Sequence, residues 1–235
     1  MTVANLRGNV DAYAPAVGEP ADTFTVTEMA KDPDAVQTAI LVNDTKLTLC
    51  NRARVHDRWR DQVLPFFLKA LATEKATATL CARPTLTPVD YIVRVPRQAR
   101  AEISTVSGSV HVTDVSGPVD VRVRNGDIKL QIPSYGDAST QNGSIVAIFG
   151  DAHWPGTLHF STERGDVEVW VPATADASVD LHTDRGTIFT DFELRGSSNQ
   201  AGETIVGSIG KGGQRRVNVR VTNGSIRLLK LTPQM

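Results

Sequence analysis

Cysteine, long apolar runs and excess charge of one sign are all scarce in this chain. Only 2 of the 235 residues are cysteines, Cys50 and Cys81, too few for a disulfide framework. Both sit in alternating apolar stretches and are expected to be buried core residues, with a bridge between them if the protein is exported. No run approaches the roughly 18 apolar residues of a membrane-spanning helix. Basic and acidic residues balance at 25 and 26, so nothing global points to nucleic acid or an acidic surface. Met1–Pro20 has neither the basic start nor the apolar centre of an export signal. The chain as written is therefore expected in the cytoplasm, or at the cell envelope if a leader has been removed.

The sites of chemistry are equally thin. The five histidines, His56, His111, His153, His159 and His182, form no close His-x-His pair, and no Cys-x-x-Cys occurs. No metal and no cofactor are expected. Gly207–Gly213 lacks the Walker A spacing, and no nucleophile elbow is present. The reading is accordingly non-enzymatic.

What the chain has in abundance is one short phrase: a small or polar residue, Gly, a polar residue, then Ile or Val. It is centred on Gly108, Gly126, Gly143, Gly165, Gly186 and Gly224, with a weaker copy at Gly207, at intervals of 17 to 22 residues. A fixed period of this kind marks one structural unit stacked repeatedly. Two and four residues after each glycine the chain is mostly apolar, as at Val110 and Val112 or Ile128 and Leu130. Three and five residues before it stand residues such as Val123 and Val121, or Thr162 and Phe160. Alternate positions share a strand face, so these form a core face. The positions between them, among them Arg122, Lys129, Glu163, Glu168 and Asp184, are expected to be wet. The glycine itself serves a tight turn with positive φ.

A β-hairpin meander and a β-solenoid both satisfy that local pattern. A longer repeat favours the solenoid: residues 126–133 (GDIKLQIP) match 165–172 (GDVEVWVP) position for position. Pro96, Pro133 and Pro172 are read as punctuation every two turns, since proline ends a ladder. The expected architecture is all-β, a β-solenoid (single-stranded helix or roll). Residues 1–21 are expected to be a flexible tail, 22–95 a strand-rich cap and 96–232 the repeat, continuous with that cap. Strands are expected at 23–27, 38–42, 46–50, 76–82 and 90–95. One short helix is expected at 56–73, where Trp59, Val63, Phe67 and Leu71 share a stripe interrupted by Pro65.

The succession VRVP, STVSGSVHV, VRVRNGDIKLQIP and the closing VRVTNGSIRLLKL resemble the DUF4097-type putative adhesin family of bacterial β-solenoid proteins. The resemblance runs from about residue 38 to 231. It implies a β-helix or roll, often associated with the cell envelope, with no established catalytic activity.

Function has to be sought on the outward rows. Asp127 and Asp166, each following a glycine, invite a calcium reading, but their spacing is unlike that of calcium-binding β-rolls, and bonding to the turn backbone is the expected role. Asp127, Glu163, Asp166, Glu168 and Asp184 are the acids from which a carbohydrate-active β-helix would draw a catalytic pair. That is the alternative to an interaction scaffold. Lys211, Arg215, Arg216, Arg220 and Arg227 follow the last acid of the chain and form a candidate patch for an anionic ligand. Exposed aromatics among Phe149, Trp154, Phe160, Trp170, Phe189 and Phe192 would mark a partner surface, although packing under a bent link is the expected role. The expected partner is a protein or polymer held on the outer face. The final strand, 225–231, is read as an edge through which a homodimer can form.

Overall fold

A computed structural model describes residues 2–15, 25–30, 36–43, 46–53, 88–133, 135–194, 198–199 and 204–232. Among these residues all regular structure is β, arranged as two sheets of 11 and 9 strands. The helix expected at 56–73 and the strand at 76–82 lie outside the described residues, as does Cys81.

Each coil contributes one strand to either sheet, joined by a glycine corner. In chain order the coils are β1 (Thr2–Arg7) with β2 (Val10–Tyr13), β7 (Ala101–Ser107) with β8 (Val110–Thr113), and β9 (Val119–Asn125) with β10 (Ile128–Ile132). They continue with β11 (Gly136–Asn142) and β12 (Ile145–Phe149), β13 (Thr157–Arg164) and β14 (Val167–Pro172), then β15 (Ala177–Arg185) and β16 (Ile188–Thr190). The last is β19 (Arg216–Asn223) with β20 (Ile226–Leu231). Corresponding strands stack parallel and in register: Ile128 lies between Val110 and Ile145, and Val121 between Ile103 and Ala138. This is the β-solenoid the repeat predicts.

The inward positions read from the phrase form the core. Ile128, Leu130, Ile145, Val167, Phe160, Leu181 and Val219 are all buried, as are the four inward threonines 105, 140, 162 and 183. Phe149, Trp154 and Phe160 are packed inside with ring centroids 6.0–6.5 Å apart. The packing role expected of the aromatics holds for these three. Phe189 differs: it is 55% exposed.

Stacking order departs from chain order at both ends. The coil β19–β20 lies between the coils of β13–β14 and β15–β16 in both sheets. At the other end β1–β2 is inserted beside β7–β8, with β5 (Lys46–Ala53) and β6 (Val89–Arg94) on its far side. The tail expected at 1–21 therefore contains two strands of the stack. Its Ala, Gly and Pro content masked the phrase Arg7-Gly8-Asn9-Val10, which has the same form as the later copies. Punctuation by proline changes as well: because β2 and β8 both intervene between β6 and β10, Pro96 and Pro133 are three levels apart, whereas Pro133 and Pro172 are two.

Antiparallel strands lie beyond the coils. β3 (Thr25–Ala30) pairs with β6, and β4 (Val36–Asn43) pairs with β5. At the opposite end β18 (Thr204–Ile209) pairs with β15, and β17 (Ser198–Asn199) with β18. Gly207 is thus a strand residue opposite Val179 and not a corner. The strand at 225–231 is likewise not an edge. β20 is paired on one side to β14 and, over Ile226–Leu228, to β16 on the other, so that half of the strand offers no open ladder to a second copy.

Candidate functional site

The corner row explains where the glycine-following residues spend their polar atoms. A Cβ on Gly126 would run into the carbonyl of Gly108, and one on Gly143 into that of Gly126. With φ near +150° at both, these corners need glycine for close backbone approach and for conformation. Beside them, the Ser144 N–H donates to Asp127 Oδ1 at 2.8 Å, and the Ser225 N–H donates to Asp166 Oδ1 at 2.7 Å. Asn9 does the same for the Ser109 N–H at 2.9 Å. Thr140 and Thr162 donate from inside to the carbonyls of Gly126 and Gly143. Asp127 and Asp166 are therefore corner fasteners, each tying its coil to the next, which is the backbone-bonding role expected of them. Among the described residues no group of three metal-ligating side chains converges.

The remaining candidate acids are scattered. Glu168 is on the outer face of the nine-stranded sheet, accepting from Trp170 Nε1 at 2.7 Å. Glu163 and Asp184 belong to the eleven-stranded sheet, where Asp184 accepts from His182 Nε2 at 2.9 Å and Thr204 Oγ1 lies 2.7 Å from His182 Nδ1. His111 is beside Asp11 and His153 beside Asp151, on separate coils. His56 lies outside the described residues.

The basic patch also divides. Arg220 projects from the eleven-stranded sheet and is held by both oxygens of Asp180, at 2.7 and 2.8 Å. This hydrogen bond lowers the Asp180 pKa against the effect of its burial, and it raises that of Arg220. Arg227 is on the other sheet, 3.5 Å from Glu168. Lys211, Arg215 and Arg216 stay together around the β18–β19 connection, where the Lys211 N–H donates to Asp176 Oδ1. The five basic residues thus do not form one surface.

A longer arrangement runs across the outer face of the eleven-stranded sheet. Glu102, Asp120 and Asp137 stand in register on successive strands, and Asn218 and Asp180 are paired further along. Between these groups the His159 N–H donates to Asp137 Oδ1. Beside this row lies another, Ser104, Arg122, Ser139, Ser161, Arg220 and His182. Arg122 bonds Asp120 at 2.6 Å. Burial lifts the Asp120 pKa; Arg122 offsets part of the rise, while Asp137 and Glu102 add to it. Tyr135 donates to Asp137 Oδ2, and its own pKa is raised by burial first and by Asp137 next. No sequence motif announces this row, because its members come from positions up to 116 residues apart.

Compared with known families, residues 95–229 match the family model described as Toastrack DUF4097. The chain belongs to the Toastrack DUF4097 family. The match begins at Val95, just after β6, so the strands β1–β6 lie outside the matched segment. Among solved structures, this Toastrack chain is similar to one titled a putative cell adhesion protein from Clostridium sporogenes ATCC 15579. That likeness has 10% identity and a TM-score of 0.47, covering 98% of this chain and 92% of that one. No curated protein matches it.

Proposed function

We propose that this protein is a non-enzymatic interaction scaffold whose eleven-stranded face holds an extended protein segment or polymer. The observation that carries the reading is the in-register pair of rows, one rich in acids and one in hydroxyls and arginine. Such rows repeat at the strand spacing of about 4.8 Å and match a partner that is itself extended. The Asp120 pKa is raised first by burial; Arg122 lowers it, and Asp137 and Glu102 raise it again. A cationic group placed along the acid row therefore adds to the pairing that Arg122 and Arg100 already supply there. The partner is accordingly a chain bearing positive charge. The spread of Asp127, Asp166 and Glu168 over a corner and the opposite sheet supports an interaction role over a catalytic one.

Surface plasmon resonance on the full chain tests this, with polylysine and a cationic polysaccharide as probes and heparin as the anionic control. Binding of the cationic probes is expected to fall with salt and to be lost in the Glu102→Lys/Asp120→Lys variant. Retention of heparin alone, or cationic binding indifferent to that variant, would refute the proposal.

A further inference from the structure

The nine-stranded sheet has a different outer face. On β2, β8 and β10 its outward residues are mostly polar: Asp11, His111 and Lys129 in one row, and Thr113 and Gln131 in the next, where Tyr13 is the one exposed aromatic. From β12 onward the face turns apolar. One row reads Val146, Glu168, Arg227, Phe189 across four adjacent strands, and beside it lie Ile148, Trp170 and Leu229. Phe189 is 55% exposed and Val146, Ile148 and Trp170 are half-buried, while Leu229 is buried beneath them. An apolar block on a solvated sheet is the signature of a contact surface.

The order of that row identifies the occupant. Apolar, acid, base, apolar is a palindrome in charge. Let a second copy face this one across a two-fold axis lying in the interface and parallel to the strands. Glu168 then meets Arg227 of the second copy, and Arg227 meets its Glu168. The same rotation sets Val146 against Phe189 and Phe189 against Val146, with Trp170 beside them. An isologous contact requires a self-complementary surface of this kind. Glu168 also has its place fixed within one copy, between Trp170 Nε1 at 2.7 Å and Arg227 at 3.5 Å, so little ordering is left for association to impose.

We infer that this protein forms a two-fold homodimer through the outer face of β12, β14, β20 and β16. Four strands span roughly 14 Å and the two rows lie about 7 Å apart. That area is well below the roughly 800 Å² per partner of a standard stable interface. The dimer is therefore weak and reversible, and it leaves the eleven-stranded face free.

Sedimentation of the full chain from low to high micromolar concentration tests the pairing. Wild-type protein is expected to pass from monomer to dimer. Glu168→Arg sets cations against cations, and Arg227→Glu sets acids against acids. Each alone should weaken self-association by about tenfold or more. Mixed in equal amounts, the two variants should pair with each other, because every facing charge is then opposite. Phe189→Ser, at an exposed position, should also weaken the dimer while leaving the melting temperature unchanged. A wild-type chain that stays monomeric throughout overturns the inference. So do single variants that associate as well as wild type, or a mixture that fails to pair. None of these outcomes touches cationic-polymer binding on the other sheet, which the two dimer variants should retain.

Discussion

The Asp166 carboxylate accepts a hydrogen bond from the backbone N–H of Ser225, 59 residues further along the chain, at 2.7 Å. The next glycine phrase in the sequence, at Gly186, lies instead beyond Gly224, whose N–H donates to the carbonyl of Arg185. The C-terminal coil is thus enclosed by coils that precede it. Ends of repeat proteins ordinarily fray, because a terminal unit has one neighbour. Here Val217, Val219, Ile226 and Leu228 are fully buried with a coil on either side. Native-state hydrogen exchange should show the amides of 217–228 as protected as those of β11 and β13, and slower than those of β16. Fast exchange over 217–228 would mean that the coil does not stay inserted.

Stacked corners separate two kinds of glycine. Gly126 and Gly156 both have positive φ, but a Cβ at Gly156 meets nothing within 4 Å, while one at Gly126 meets the backbone of Gly108. Gly156→Ala should therefore carry only the conformational cost, about 1 kcal/mol. Gly126→Ala adds a collision with a carbonyl that cannot move without displacing its own coil, and should cost more than about 3 kcal/mol or prevent folding. Chemical denaturation of the two variants side by side checks this; equal midpoints would show that the corners are not close-packed.

The same geometry shows why so much of the fold was legible and why the rest was not. Period-two alternation around each glycine identifies Ile128, Leu130, Val123 and Val121 as core, because burial on a strand depends only on local position. Stacking order is a long-range property. Asp166-to-Ser225 and Asp166-to-Thr187 are equally plausible neighbours from the phrase alone, so the interleaving of β19–β20 left no trace in its spacing. Val89 illustrates the point from the other direction. It occupies the corner position below Gly8, whose Cβ direction points at the Val89 carbonyl. The coil of β6 is followed in its sheet by the antiparallel β3, not by another glycine corner, and the phrase is absent there. The candidate surfaces were the least legible. Asp180 with Arg220, and the row from Val146 to Phe189, join residues that only the stacking brings together.

Two aspartates on the eleven-stranded face should respond to pH with opposite sign. The folded-state pKa of Asp180 is lowered by its hydrogen bond to Arg220. Its stabilisation is present above the unfolded carboxylate pKa of about 3.9 and disappears as pH falls through the lower folded value. Asp120 is raised by burial, so its contribution is present below the unfolded pKa and is lost as pH rises through the higher folded value. At neutral pH, Asp180→Asn should lower the melting temperature and Asp120→Asn should raise it. Both effects are small, about 0.5 kcal/mol for such part-exposed groups. At pH below the folded Asp180 value both should vanish. Melting curves that shift in the same direction at neutral pH would contradict the assignment.

Inside the stack, Trp154 closes the link between β12 and β13 against Phe149, with 1% of its surface exposed. Its indole Nε1 is buried without a hydrogen-bond partner. Burial of the ring favours the fold, whereas the unsatisfied N–H opposes it by about 1–3 kcal/mol. Trp154→Ala removes both and leaves a cavity, and should cost about 3–5 kcal/mol. Trp154→Phe keeps most of the packing and removes the orphaned donor. The two changes nearly cancel, so its stability should lie within about 1 kcal/mol of wild type. Urea midpoints for the pair distinguish the contributions: a Phe variant as damaged as the Ala variant would show that the indole's full width, and not the apolar contact with Phe149, holds the link in place.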